Sequence, residues 1–202
     1  MGYLICLRYK AMLHLQGEYK DIQLASKYLM EAITYRRPDF KAENIQDYFL
    51  SLEEFMLINN LALLVNETEG LPKALEMWQK LKTCYEKTHS HSLARNAYRD
   101  LVMNISIALK LLGRYEECLE AAIEGCERSL YSQNMKEYSR YLYQRAFCLM
   151  KLDRRDEGRP LYRKFLMLAC ALDGQYNISF ETVSKEYEDE FGEPAPFTPQ
   201  AE

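Results

Sequence analysis

Glycine and proline are scarce in this sequence, with eight glycines and six prolines among 202 residues. Both residue types destabilise helix interiors, so their scarcity permits long helices over almost the whole chain. No segment alternates apolar and polar residues for long enough to indicate a strand. The sequence therefore predicts an all-α protein.

Motifs of catalysis and of phosphate binding are also absent. The sequence contains no G-x-x-x-x-G-K-[ST], G-x-G-x-x-G, G-x-S-x-G or H-E-x-x-H, the patterns that build phosphate-binding loops, nucleophile elbows and zinc sites. His89 and His91 have no third ligand at a matching spacing, so we interpret them as part of a solvated loop. The acidic run 186–190 is interpreted as a solvated helix face. We expect no enzyme activity, no cofactor and no metal.

The chain lacks a basic surplus and a long apolar run. Its net charge is −4, its pI is near 5.6 and it has no Lys/Arg run, so these residues alone are poorly suited to binding nucleic acid. No stretch approaches the ~20 apolar residues of a membrane span, and Arg8, Lys10 and His14 are unlike a secretory signal. The six cysteines include no C-x-x-C pair and are expected to be reduced thiols. We therefore predict a cytoplasmic location.

A turn mark recurs along the chain. It reads Gly17-Glu18-Tyr19, Gly70-Leu71-Pro72 and Gly113-Arg114-Tyr115, and more weakly Asp153-Arg154-Arg155. The intervals are 53, 43 and 40 residues (17 to 70, 70 to 113, 113 to 153). A period near 40 is typical of stacked helix-turn-helix units, whose usual function is binding along a concave surface.

The apolar periodicity predicts nine helices. They are expected over 3–16, 21–36, 44–65, 71–87, 93–112, 115–131, 135–152 and 156–172, followed by a short closing helix that reaches about Glu190. Gly17 is expected to cap the first helix and 90–92 to break the fourth from the fifth, while Asn177 and Ser179 offer caps for the last. Residues 193–202 contain three prolines and are expected to form a disordered tail.

Small residues follow the third mark at helical spacing. Gly113 is followed by Tyr115, Cys118, Ala122 and Gly125, and this order resembles the second half of a tetratricopeptide repeat (TPR). The other units carry the same pattern with insertions or substitutions, notably at Asn60, Ala62, Ala74, Trp78, Ala25, Ala32, Ala146 and Gly158. The resemblance implies one domain over 1–192, a TPR-like right-handed superhelix of about four helix-turn-helix units plus a closing helix.

Three further features resemble a particular class of repeat domain. They are the run 59–62 (Asn-Asn-Leu-Ala), the run 112–117 (Leu-Gly-Arg-Tyr-Glu-Glu) and the closing Glu-Phe-Gly at 190–192. This pattern is similar to the C-terminal domain of bacterial peptide-sensing helix-turn-helix transcription regulators, the Rgg/PlcR-like receptors of quorum sensing. The resemblance implies a ligand-sensing and dimerisation domain that meets DNA only through an N-terminal domain not present in this chain.

Four polar residues recur at one position of the repeat. Counting back nine residues from a turn mark gives Arg8, Asn104 and Gln144, and one extra residue in the second unit gives Asn60. In TPR units this position faces the concave groove. Asn and Gln each offer a donor and an acceptor, so such a row is suited to bind the backbone of a short linear peptide. The alternative is that Asn60 and Asn104 satisfy backbone groups between stacked helices.

The same helix faces supply neighbours for a peptide. The candidates are Asn59, Met56, Leu63, Asp100, Met103, Ile107, Arg140, Tyr143 and Phe147. They form a mixed apolar and aromatic floor that suits a hydrophobic peptide, and Arg8 or Arg140 could bind its terminal carboxylate.

The resemblance also implies a homodimer. The fourth unit and the closing helix are the candidate interface, because the run 165–168 (Phe-Leu-Met-Leu) replaces the polar cap of a terminal repeat. Two other functions stay open. One is a generic protein-interaction adaptor with no link to transcription, and the other is a purely structural oligomer-forming module.

Overall fold

In a computed structural model, all regular structure of the described residues (2–15, 19–88, 95–171 and 180–196) is helical, which confirms the all-α prediction for them. The helices are α1 (Gly2–Leu15), α2 (Ile22–Arg36), α3 (Leu52–Thr68), α4 (Leu71–Thr88), α5 (Arg95–Leu111), α6 (Tyr115–Tyr131), α7 (Met135–Lys151), α8 (Arg155–Ala171) and α9 (Phe180–Phe191). The predicted features at Gly17, His89, 90–92, Asn177, Ser179 and 197–202 lie outside the described residues.

The prediction of a single helix over 44–65 is wrong. A short 3-10 helix spans Ala42–Asp47, and α3 begins only at Leu52. A capping box fixes this start: the Ser51 hydroxyl accepts from the backbone N–H of Glu54, and the Ser51 N–H donates to the Glu54 carboxylate at 3.0 Å. Phe49, which lies within the predicted helix, is 84% exposed in the connection between the 3-10 helix and α3.

Three of the four turn marks lie in the described residues, and each has a left-handed backbone at its first residue. Gly70 and Gly113 have φ values of 94° and 71°, and Asp153 replaces glycine with φ 57°. Gln133 (φ 56°) makes an equivalent turn between α6 and α7 that the sequence pattern missed. At each of these turns a backbone N–H donates a hydrogen bond to a carbonyl near the end of the preceding helix, as the Arg154 N–H does to Leu149 O at 2.8 Å.

The chain divides into two compact units, Met1–Ala108 and Leu109–Glu202. In unit 1, α1 packs on α2, α2 on α3 and α3 on α4, and α1 also contacts α3. Tyr85 of α4 contacts both Phe55 of α3, with ring centroids 5.7 Å apart, and Tyr98 of α5, at 4.1 Å. Aromatic packing therefore joins three helices of this unit.

In unit 2, α6 packs on α7, α7 on α8 and α8 on α9. Gly125 of α6 lies against the buried Tyr141 ring, where an added Cβ would be 2.2 Å from Cε1. This explains the small residue that the repeat pattern places there.

The run 165–168 is mostly interior. Phe165 and Leu166 are fully buried, Leu168 is half-buried and Met167 is 46% exposed. Two of its four side chains are thus already covered within the unit, and the run does not form the uncovered apolar face that we expected. Within the described part of the chain, no helix combines the length and apolar content that a membrane crossing needs.

Candidate functional site

An asparagine pair joins α3 and α5. The Asn104 side-chain amide donates from Nδ2 to Asn59 Oδ1 at 3.1 Å, and both residues are half-buried. This bond uses one donor and one acceptor of the two amides. Asn59 Nδ2 and Asn104 Oδ1 have no hydrogen-bond partner among the described residues. The pair therefore retains the two complementary groups that a peptide unit can bind.

Partly exposed residues continue along both helices from this pair. On α3, Met56 and Leu63 share the side of Asn59, and all three are half-buried. On α5, Asp100 is exposed and Ile107 half-buried beside Asn104. Their spacings of three and four residues place each set on one side of its helix. We call these six residues the α3–α5 face.

Arg8 connects α1 to the same side of α3. Its Nε lies 3.8 Å from Glu53 Oε2, and Glu53 precedes Met56 by three residues. Both atoms are shielded from solvent and have no hydrogen bond within the described chain. Glu53 therefore already opposes the charge that was predicted to receive a peptide carboxylate. Glu53 was not among the predicted site residues, although its spacing of three residues from Met56 places it on the same side of α3.

Asn60 and Met103 lie deeper than Asn59 and Asn104. Each is 7% exposed, and Asn60 Nδ2 contacts neither solvent nor an acceptor among the described residues. One residue corresponds to about 100° of rotation around a helix, so α3 presents Asn59 to Asn104 and turns Asn60 towards the interior. Asn60 therefore lies inside the unit and not on the predicted ligand-facing side, and its Nδ2 donates no hydrogen bond to the backbone of the described residues, which the alternative interpretation would have required of it.

The four predicted residues of unit 2 meet a different environment. Gln144 and Tyr143 are buried, while Arg140 and Phe147 are half-buried. The Tyr143 hydroxyl donates to both carboxylate oxygens of Glu186 on α9, at 3.0 and 3.2 Å. Burial raises the pKa of Tyr143, and the charge of Glu186 raises it further. At this point α9 covers the helix face that was predicted to form a groove.

A cleft of about 220 Å³ remains among α7, α8 and α9. Phe147, Met150 and Tyr162 form its apolar and aromatic part. Its charged lining comprises Lys151, Glu186, Asp189 and Glu190. We call this the α7–α9 cleft. The run 186–190 is therefore more than the solvated helix face that we expected, since Tyr187 within it is fully buried and three of its carboxylates line a cavity.

Neither site has the character of a metal centre. Across the described ranges, no three His, Cys, Asp or Glu side chains are grouped as metal ligands would be. No protein-family model matches this chain, and no curated protein matches it.

Proposed function

We propose that this chain is the ligand-sensing and dimerisation domain of a bacterial transcription regulator, and that the α3–α5 face binds a short linear peptide. The Asn59–Asn104 pair carries the proposal, because its single bond leaves the Asn59 Nδ2 donor and the Asn104 Oδ1 acceptor without a partner among the described residues. A peptide backbone offers the complementary acceptor and donor at every residue. Each such hydrogen bond contributes about 0.5–1.5 kcal/mol net.

The residues around the pair favour a hydrophobic peptide. Met56, Leu63 and Ile107 are half-buried, so a ligand side chain that covers them removes apolar surface from water. Met adapts its shape to different partners, which suits a floor that receives varied side chains. The amides would bind the backbone, and the apolar residues would select the sequence.

A peptide bound here would tie α3 to α5. It would favour those conformations in which the two helices stand at the distance that the Asn59–Asn104 pair requires, and thereby shift the population of the domain. In a TPR-like superhelix, which we propose for the whole chain, such a shift changes the curvature. In a cytoplasmic homodimer it would change the placement of two DNA-binding domains outside this chain.

A thermal-shift and calorimetric screen tests this function. The probes are uncharged hydrophobic peptides of about five to ten residues, added to the full chain, because a ligand that binds only the folded state raises its melting temperature. The site variant is Asn59→Ala/Asn104→Ala. The matched control is Asn44→Ala, which removes an exposed amide from the 3-10 helix.

We expect a peptide that stabilises the wild type and Asn44→Ala but binds the double variant about tenfold more weakly or worse. Equal stabilisation of all three proteins would move the site away from the amide pair. No response to any peptide would contradict peptide sensing and favour the adaptor or the structural module. Light scattering then tests the homodimer, which a monomeric mass would overturn.

A further inference from the structure

We propose that the α7–α9 cleft binds the alkylammonium or guanidinium group of a ligand, such as a polyamine or a basic side chain of a peptide. This site does not depend on the function proposed for the α3–α5 face. Three carboxylates, from Glu186, Asp189 and Glu190, line the cleft against the single ammonium of Lys151. An organic cation would reduce this excess of negative charge.

The carboxylates are only partly neutralised within the described chain, by one long ion pair to Glu190. Glu190 Oε2 is 3.8 Å from Arg155 Nη2, beyond hydrogen-bond distance, and neither Asp189 nor Lys151 has an ion pair among the described residues. Lys151 Nζ instead lies 5.4 Å from the centroid of the Phe147 ring. Glu117 of the same unit, in contrast, is paired closely with Arg114 at 2.6 Å.

A tyrosine hydroxyl without a hydrogen bond in the cleft wall points to a ligand independently of the charges. Tyr162 lines the cleft and is 2% exposed, and its hydroxyl has no hydrogen bond to any described residue. Its ring is fixed edge-to-face against Tyr143, Tyr187 and Phe191, with centroids 6.0 to 6.5 Å apart. The hydroxyl oxygen is not shielded from solvent as the unbonded buried atoms of this chain are, so a ligand N–H that enters the cleft can donate to it.

Burial raises the pKa of Tyr162, and the neighbouring Tyr143, Glu186 and Glu190 raise it further. The hydroxyl is therefore neutral over the whole physiological range, and it can accept a hydrogen bond from an ammonium group. The rise that Glu186 and Glu190 cause in the pKa of Tyr162 also reflects a negative potential in the cleft, which favours a bound cation.

Part of the site is held in place before any ligand arrives. The two hydrogen bonds from Tyr143 fix the orientation of the Glu186 carboxylate. The Phe147 ring and the Met150 side chain line the cleft with apolar surface for an alkyl chain. The Phe147 ring also attracts cations, as it does the ammonium groups of Lys110 and Lys151, which lie 5.0 and 5.4 Å from its centroid. This combination suits a linear amine better than a bare metal ion, in keeping with the missing metal-ligand grouping in the described chain.

Isothermal titration calorimetry on the full chain tests the site with three probes: spermidine, the peptide acetyl-Ala-Ala-Lys-Ala-Ala-amide, and the same peptide with norleucine in place of lysine. The charge variant is Asp189→Asn/Glu190→Gln. Its matched control is Glu116→Gln/Glu120→Gln, which removes two exposed carboxylates from α6 of the same unit. Tyr162→Phe removes only the hydroxyl.

We expect at least one of the two amine probes to bind. Asp189→Asn/Glu190→Gln should weaken that binding by about tenfold or more, and Tyr162→Phe by about threefold to tenfold, while the α6 control leaves it unchanged. Binding of spermidine alone would identify a free amine as the ligand, and binding of the lysine peptide but not its norleucine counterpart would identify a basic side chain.

Three results would overturn the proposal: no binding of either amine, equal binding of the norleucine peptide, or equal weakening by the α6 control. The peptides used for the α3–α5 face carry no charge, and Asn59→Ala/Asn104→Ala leaves all cleft residues in place. Failure of one site is therefore distinguishable from failure of the other.

Discussion

The α3–α5 face and the α7–α9 cleft present their polar groups in opposite ways. The face of unit 1 relies on neutral amides that bond to each other and retain one donor and one acceptor. The cleft of unit 2 relies on carboxylates, of which only Glu186 is anchored by a buried side chain, Tyr143. The first arrangement suits a polar, uncharged backbone, and the second suits a cation.

The closing helix causes the difference. The residue nine positions before a turn mark was predicted to face the ligand. This prediction selected Asn104 on α5 and Gln144, the neighbour of Tyr143, on α7. In unit 2, however, α9 occupies that side, and its Glu186 carboxylate accepts a hydrogen bond from the Tyr143 hydroxyl. Positions that are equivalent in the repeat therefore differ in exposure and in chemistry, because a helix outside the repeat covers one of them.

The largest effect should come from Gly125→Ala. The new Cβ would meet the fully buried Tyr141 ring at 2.2 Å, and overpacking of this kind costs about 1–3 kcal/mol or more. Hydrogen exchange measured by mass spectrometry should show lost protection in α6 and α7, while α3 and α4 keep theirs. Gly2→Ala, with nothing within 4 Å, is the control. Unchanged protection of α6 would show that Tyr141 can move aside.

The next effect separates charged from neutral hydrogen bonds. Tyr143→Phe removes the hydroxyl proton that the two oxygens of the Glu186 carboxylate share, and a hydrogen bond to a charged group contributes about 1.5–3 kcal/mol. Asn104→Ala removes one neutral bond to Asn59 and should cost about 0.5–1.5 kcal/mol. Chemical denaturation, followed by hydrogen exchange to localise the loss, measures both. A larger loss for Asn104→Ala would contradict the contrast drawn between the two units.

Local signals predicted most of the helices. The bounds of α6 agree with the prediction over 115–131, because the turns at Gly113 and Gln133 return their backbone bonds to the helix ends. The start of α3 could also have been predicted, since Ser51-x-x-Glu54 is a capping box. The prediction began the helix too early because Phe49 continues the apolar spacing of α3 towards its N-terminus.

The sites were less predictable, for two physical reasons. Counting back nine residues from Gly70 gives Leu61, and the one extra residue of the second unit moves the position to Asn60. The residue that bonds to Asn104 is instead Asn59, because neighbouring residues of a helix point about 100° apart. The contact of Tyr143 with Glu186 joins residues 43 apart in the chain. Periodicity describes one helix at a time and carries no information on which face a later helix covers.

The smallest effect concerns the cap that fixes the start of the α3–α5 face. Burial tends to raise the pKa of Glu54, but the hydrogen bonds from Ser51 and the charge of Arg37, whose Nη2 lies 3.2 Å from Glu54 Oε1, lower it overall, below its ordinary 4.5. A carboxyl whose pKa is lower in the folded state stabilises that state fully above about pH 4.5, and the stabilisation is lost as the pH falls through the lowered pKa.

Denaturation of the wild type and Glu54→Gln at a series of pH values should therefore show an advantage of the wild type at pH 7 that disappears under acid conditions. Ser51→Ala, which costs about 1 kcal/mol by loss of the cap, should reduce that pH dependence, whereas Glu43→Gln, an exposed carboxylate in the 3-10 helix, should leave it intact. An advantage that persists undiminished at low pH would mean that Glu54 stabilises α3 through packing, and the position of the face would then not depend on its charge.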